Sequence, residues 1–327
     1  MDNYENLMNE ITTNDSNGDI DNNYGYGQER KDSKKILSRC GWYLSLITIA
    51  ISLAQGIIIG LSDKYFAKFY ESDWFELTVT AAGMLGVGVP LAFILMKRLP
   101  YTERGEVKKL SLRKFMEYFM ICYAAMIYSN VVTVIINSII AGIKGSEVIN
   151  PLEDVISGSN IFVLILYVSI LGPIAEELIF RKFLLDKLRR FGDVPAILIS
   201  SLAFGLFHMN LSQVLYATAV GMVMAYVTIK TNTVRYSIVI HMMLNFIGSI
   251  LSVLVTNSGN MIAYLLFIIF VFALVTAGTR VFVKNYKNIQ LDKVERPLVK
   301  QMDYILNSGT IVFIAICLSI IVAGLIQ

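Results

Sequence analysis

Glu176 and Glu177 stand side by side in GPIAEELIFR (Gly172 to Arg181), at the end of a long apolar run. The chain's only two histidines, His208 and His241, lie in apolar stretches of their own. A carboxylate at the centre of a membrane helix costs roughly 2.5–3.5 kcal/mol, so such a residue is paired, faces a cavity, or does both. The other acids near apolar runs, Glu117, Asp193 and Asp303, fall at the ends, where water reaches them. Either histidine alone reads as a satisfied packing residue. Two glutamates and both histidines together reverse that balance.

The segment FGDVP (Phe191 to Pro195) predicts a turn between two antiparallel helices, with Gly192 and Pro195 as breakers and Asp193 as cap of the second. Residues equidistant from the turn share a depth. Glu176 and His208 are both 16 positions from residue 192, about 24 Å at 1.5 Å per residue. His241 and Asn245 are spaced i, i+4 on a later run and therefore share a helical face. Glu177 and Arg181 have the same spacing, in the order that favours an ion pair. With Arg181 holding Glu177 charged, Glu176 is left to exchange a proton with a partner such as His208. Pro173 is placed to kink the helix just before the glutamates. This set suits water activation: a carboxylate and an imidazole take a proton from water, while His241 and Asn245 donate to the oxyanion of a tetrahedral intermediate. No serine is needed. HExxH is absent, no Asp lies mid-span, and the Gly158–Asn160 GSN reads as a span entry rather than a serine motif.

The elements that must position these groups are membrane helices. Of 327 residues, 55% are hydrophobic and 16% charged, which predicts an all-α, polytopic transmembrane bundle. Runs long enough to cross a bilayer fall near 41–62, 77–96, 115–141, 160–178, 211–229, 235–255, 261–283 and 304–326. A shorter run at 194–208, with a tight turn at Asn210 and Ser212, brings the expected total from eight to nine. Basic residues before the first run and after the second place the N-terminus in the cytoplasm. Residues 1–35 are rich in Asn, Asp and Gly and read as a disordered polar cytoplasmic tail, followed by a transmembrane domain over 36–327. A net charge of +3 gives no reason to expect a nucleic-acid partner, and Cys40, Cys122 and Cys317 have no ligand spacing.

The motifs E176-E177-L-I-F-R181, F204-G-L-F-H208 and H241-M-M-L-N245 resemble EExxxR, FxxxH and HxxxN of the CAAX proteases and bacteriocin-processing proteins. This family includes the type II CAAX prenyl endopeptidases. The resemblance covers about residues 155–255, which it marks as a protease-like core. It implies an intramembrane endopeptidase of a bacterial plasma membrane, acting on a peptide precursor or a membrane-anchored protein. Glu176 and His208 would activate water, His241 and Asn245 would form the oxyanion hole, and Glu177, Arg181 and Phe204 would support them. A divalent metal such as zinc, if used, would be held by Glu176, His208 and His241. The same family contains bacteriocin immunity proteins and membrane regulators, so a non-proteolytic scaffold is the alternative. A transporter with a proton-relay carboxylate pair is a third reading.

Overall fold

The computed structural model describes residues 2–150, 160–294 and 298–326, with side chains from Gly27 onward. Residues 151–159, which include the start of the expected protease-like core and two residues of the GSN motif, lie outside it. Asn160 itself caps the following helix by accepting from the Phe162 N–H at 2.9 Å, as a span entry should.

Nine long helices follow in order among the described residues. They are α1 (Asp2–Tyr65), α2 (Phe75–Met96), α3 (Leu112–Lys144), α4 (Ile161–Phe191), α5 (Asp193–Phe207), α6 (Leu211–Thr231), α7 (Arg235–Asn257), α8 (Met261–Asn288) and α9 (Ser308–Ile326). Eight are long and apolar enough to cross a membrane, α1 from Gly27 onward. The exception is α5, whose 15 residues rise about 22 Å, short of a hydrocarbon core of about 30 Å.

Helical backbone is described from Asp2, with side chains from Gly27 onward. Lys34 pairs with Asp303 at 2.8 Å, and Ser33, Ile36 and Leu37 are buried. The turn at Gly192 is as expected, with a left-handed φ of 99° that suits glycine. Asp193 does not cap α5. Its carboxylate accepts instead from the Asp292 N–H at 3.0 Å, tying the turn to the segment before α9.

The core consists of α4 to α7 with α3 packed against α6, while α1, α2 and α9 group on one side and α8 leans on α3. Close backbone approach fixes two of these crossings. A Cβ on Gly205 of α5 would lie 2.6 Å from the Val214 carbonyl oxygen of α6 and collide with Thr218 Oγ1. Gly41 of α1 and Gly309 of α9 likewise meet backbone to backbone. Small residues at crossings are the usual means of bringing membrane helices together, because lipid offers no hydrophobic drive for association. Leu265, Ile269 and Phe272 of α8 point outward, as suits a helix whose solvent is lipid.

Residues 97–111 strap one end of the bundle. Lys108 N–H bonds the Thr231 carbonyl (2.9 Å), Leu110 N–H bonds the Tyr236 hydroxyl (3.0 Å) and Arg104 pairs with Asp186 (2.7 Å).

Candidate active site

Helix α4 is irregular where it carries the glutamates. Six α-helical residues, Gly172–Glu177, lie between two wider turns with i→i+5 bonding, Ile165–Leu171 and Leu178–Leu184. The Gly172 N–H reaches the Tyr167 carbonyl in the wide register. The next carbonyl, Val168, would need the N–H of residue 173, and proline has none. Asn245 Nδ2 donates to it at 2.9 Å instead. Pro173 therefore frees a carbonyl that anchors α7 to α4, and since an amide nitrogen carries two hydrogens, Asn245 keeps one for other use. Further wide turns at Ala82–Gly88 and Phe246–Leu251 also border the site, in keeping with the tendency of such turns to occur at functional positions.

Glu177 and Arg181 are fully buried and paired, Arg181 Nε lying 3.6 Å from Glu177 Oε2. The guanidinium also covers the Phe204 ring at 4.7 Å, a cation–π contact. Phe204 presents itself edge to face to both His208 (4.9 Å) and His241 (5.8 Å). The motif phenylalanine is thus the apolar floor on which the charged and imidazole groups rest. Among the described residues the buried Glu177 oxygens, Arg181 nitrogens and His241 Nδ1 lack aligned hydrogen bonds, so proximity of charge rather than a bonded network holds this cluster.

His241 reaches both acids: Nε2 lies 3.6 Å from Glu176 Oε2 and Nδ1 lies 3.4 Å from Glu177 Oε1. His208 stands at the end of α5, where its Nδ1 is 2.9 Å from the Phe204 carbonyl oxygen. A carbonyl only accepts, so Nδ1 carries the proton, and in the neutral ring Nε2 is a free acceptor. Glu176 and His208 line the same cavity without a direct ion pair or hydrogen bond between them among the described residues. The imidazole beside Glu176 is that of His241, because α5 stops one residue before His208 and turns its ring back on the helix end.

Glu176, His208, His241, Asn245 and Phe204 line a single cavity of roughly 260 Å³, room for several waters at ~30 Å³ each. Glu176 is the accessible acid, its side chain 22% exposed against 0% for Glu177. Zinc would need three ligands at about 2.0–2.2 Å. Among the described residues, no three of His, Cys, Asp and Glu converge closely enough to hold a metal. Glu176, His208 and His241 as placed do not fit one.

Some contributors escaped the sequence. Gly221 of α6 leaves room for Arg181, since a Cβ there would sit 3.1 Å from Nη2. Gln213, Tyr216 and, from α2, Thr80 and Met84 complete the cavity wall. Of these, Gln213 alone carried a signal, as a polar residue in the first turn of an apolar helix.

A polytopic helical membrane protein with carboxylates and imidazoles around an internal cavity is the class that fold and site define. Residues 158–247 match the family model described as type II CAAX prenyl endopeptidase Rce1-like, which bears out the resemblance carried by the three motifs. A Bacillus subtilis (strain 168) protein named "Putative membrane peptidase YdiL" is 27% identical over 212 residues, 62% of this chain and 85% of the relative. The membrane-embedded CAAX protease MroQ of Staphylococcus aureus (strain USA300) is 30% identical over 127 residues, 37% of this chain and 51% of the relative, so the match spans about half of its length. No solved structure matches the chain. In sequence the chain is thus similar to membrane CAAX-type peptidases.

Proposed function

We propose that this protein is an intramembrane endopeptidase that hydrolyses a peptide bond of a peptide precursor or membrane-anchored substrate with water activated by Glu176. The observation that carries this reading is the accessible Glu176 carboxylate, within 3.6 Å of His241 and in one cavity with His208 and Asn245. Glu176 takes a proton from water as the oxygen attacks the carbonyl carbon, and His208, with its free Nε2, assists from across the cavity. The resulting oxyanion accepts from the second Asn245 N–H and from His241. The proton held by Glu176 then passes to the leaving amine, which restores the carboxylate. Glu177 and Arg181 keep His241 in place. No step is assigned to a metal, because the ligands do not converge.

The basic residues flanking α1 and α2 support an N-terminus on the cytoplasmic side. The test is a comparison, by mass spectrometry, of membrane and secreted peptides from cells carrying the wild-type protein, Glu176→Ala or a deletion. Accumulation of the same precursor in the variant and the deletion supports proteolysis. A Glu176→Ala pattern like wild type, with a different pattern in the deletion, sinks it in favour of a binding role.

A further inference from the structure

A second cavity, of roughly 520 Å³, opens between α3, α6, α7 and α8 and shares Met126, Tyr216, Leu244, Asn245 and Ser249 with the first. It leads away from the strapped end of the bundle, toward the end where Asn137 of α3 bonds Ser212 of α6. Among the described residues no Asp, Glu, Lys, Arg or His lines it; its polar groups there are the amides and hydroxyls of residues such as Asn130, Thr133, Asn137 and Ser252. Asn137 Nδ2 donates to Ser212 Oγ at 2.9 Å, yet its Oδ1 is buried without a donor among the described residues. Unmet polar groups are expensive inside a membrane protein. What fills this groove must therefore be uncharged and carry both donors and acceptors, including an N–H or O–H for Asn137. Unpaired peptide backbone meets all of these requirements.

We propose that this groove binds an extended, uncharged stretch of the substrate on one side of the scissile bond, an inference that rests on the peptidase reading above. Asn245 and Ser252 are seven positions apart, as are Asn130 and Asn137. Each interval rises about 10 Å, the length of about three residues of extended chain. Those three residues are read for neutrality, since a charged side chain there finds no partner.

The native Cys40, Cys122 and Cys317 are buried, so Asn137→Cys or Ser252→Cys places a reporter thiol in the groove. The full-length protein also carrying Glu176→Ala is reconstituted in phosphatidylcholine vesicles, and its rate of modification by N-ethylmaleimide is measured. A pool of blocked neutral decapeptides should slow labelling about fivefold when present at about four times its Kd, and matched pools containing lysine or glutamate should not. Equal protection by the charged pools, or none by any pool, overturns the proposal. So does a thiol already shielded in vesicles and exposed in detergent, which would identify lipid chains as the occupant. Because this assay uses a protein without Glu176, protection by neutral peptides alongside a wild-type protein that cuts nothing would reject proteolysis and keep the groove.

Discussion

The His241 imidazole lies between Glu176 and Glu177, with Nε2 3.6 Å from one carboxylate and Nδ1 3.4 Å from the other. One ring therefore joins an accessible acid to an acid sealed behind it. The adjacent glutamates differ in task because successive helix residues point about 100° apart. Glu176 is directed to the cavity, while Glu177 turns to Arg181 within the bundle.

That division predicts opposite phenotypes for two isosteric changes. Glu176→Gln should lower single-turnover peptide cleavage by about 10²- to 10⁴-fold, the usual worth of a general base, with little change in thermal unfolding in detergent. Glu177→Gln should lower the unfolding midpoint more than Glu176→Gln does. Equal losses of stability in the two variants would show that burial does not separate their roles.

Arg181→Met leaves the Glu177 charge buried beside His241 alone. Breaking a buried pair in this way costs about 3–5 kcal/mol, whereas replacing both members by neutral groups costs much less. The double variant Glu177→Gln, Arg181→Met is therefore expected to unfold at a higher temperature than Arg181→Met. A double variant less stable than the single one would contradict the pairing.

Much of this arrangement was legible in the residues themselves. The spacing of Glu177 and Arg181 gave their pair, the i, i+4 relation placed His241 and Asn245 on one face, and Gly192 marked the turn. The eight long runs gave the spanning helices. What spacing does not carry is where a helix departs from the regular 3.6-residue turn. The wide turns flanking Gly172–Glu177 and the end of α5 at Phe207 together determine that His241, and not His208, meets Glu176. Nor does composition reveal a partner distant in sequence, such as Asp303 beside Lys34.

Gly205 permits the crossing of α5 and α6 three residues before His208. Gly205→Val places methyl groups against the Val214 carbonyl and Thr218, atoms that belong to a packed helix and have little room to yield. Overpacking of this kind costs about 1–3 kcal/mol, and the shift it forces on α5 should move His208. Cleavage is expected to fall further than stability alone accounts for, as judged by activity measured well below the variant's unfolding temperature. Gly205→Ala should show both effects in weaker form.

The ligand geometry makes a prediction about chelators. With no three metal-binding side chains convergent among the described residues, peptide cleavage should persist after prolonged treatment with EDTA or 1,10-phenanthroline and dialysis. Loss of activity that zinc restores, with His208→Ala abolishing zinc binding, would require the site to rearrange into a metal centre.

Asp303 gives the clearest pH dependence outside the spanning helices. Burial alone would raise its pKa, but the Lys34 ammonium at 2.8 Å, the Lys300 N–H at 2.9 Å and Arg30 at 3.8 Å outweigh that and hold the carboxyl below the usual range. A carboxyl depressed on folding adds stability at pH values above its unfolded pKa, about 3.9 for aspartate, and loses it as the pH falls through the native value. Asp303→Asn removes this contribution where it is fully present. The unfolding midpoints of wild type and variant should therefore differ at pH 6–7 and converge as the pH falls below about 4. A gap that stays constant across that range would mean that Asp303 acts through its hydrogen bonds alone, and that the clasp between α1 and the segment before α9 does not depend on its charge.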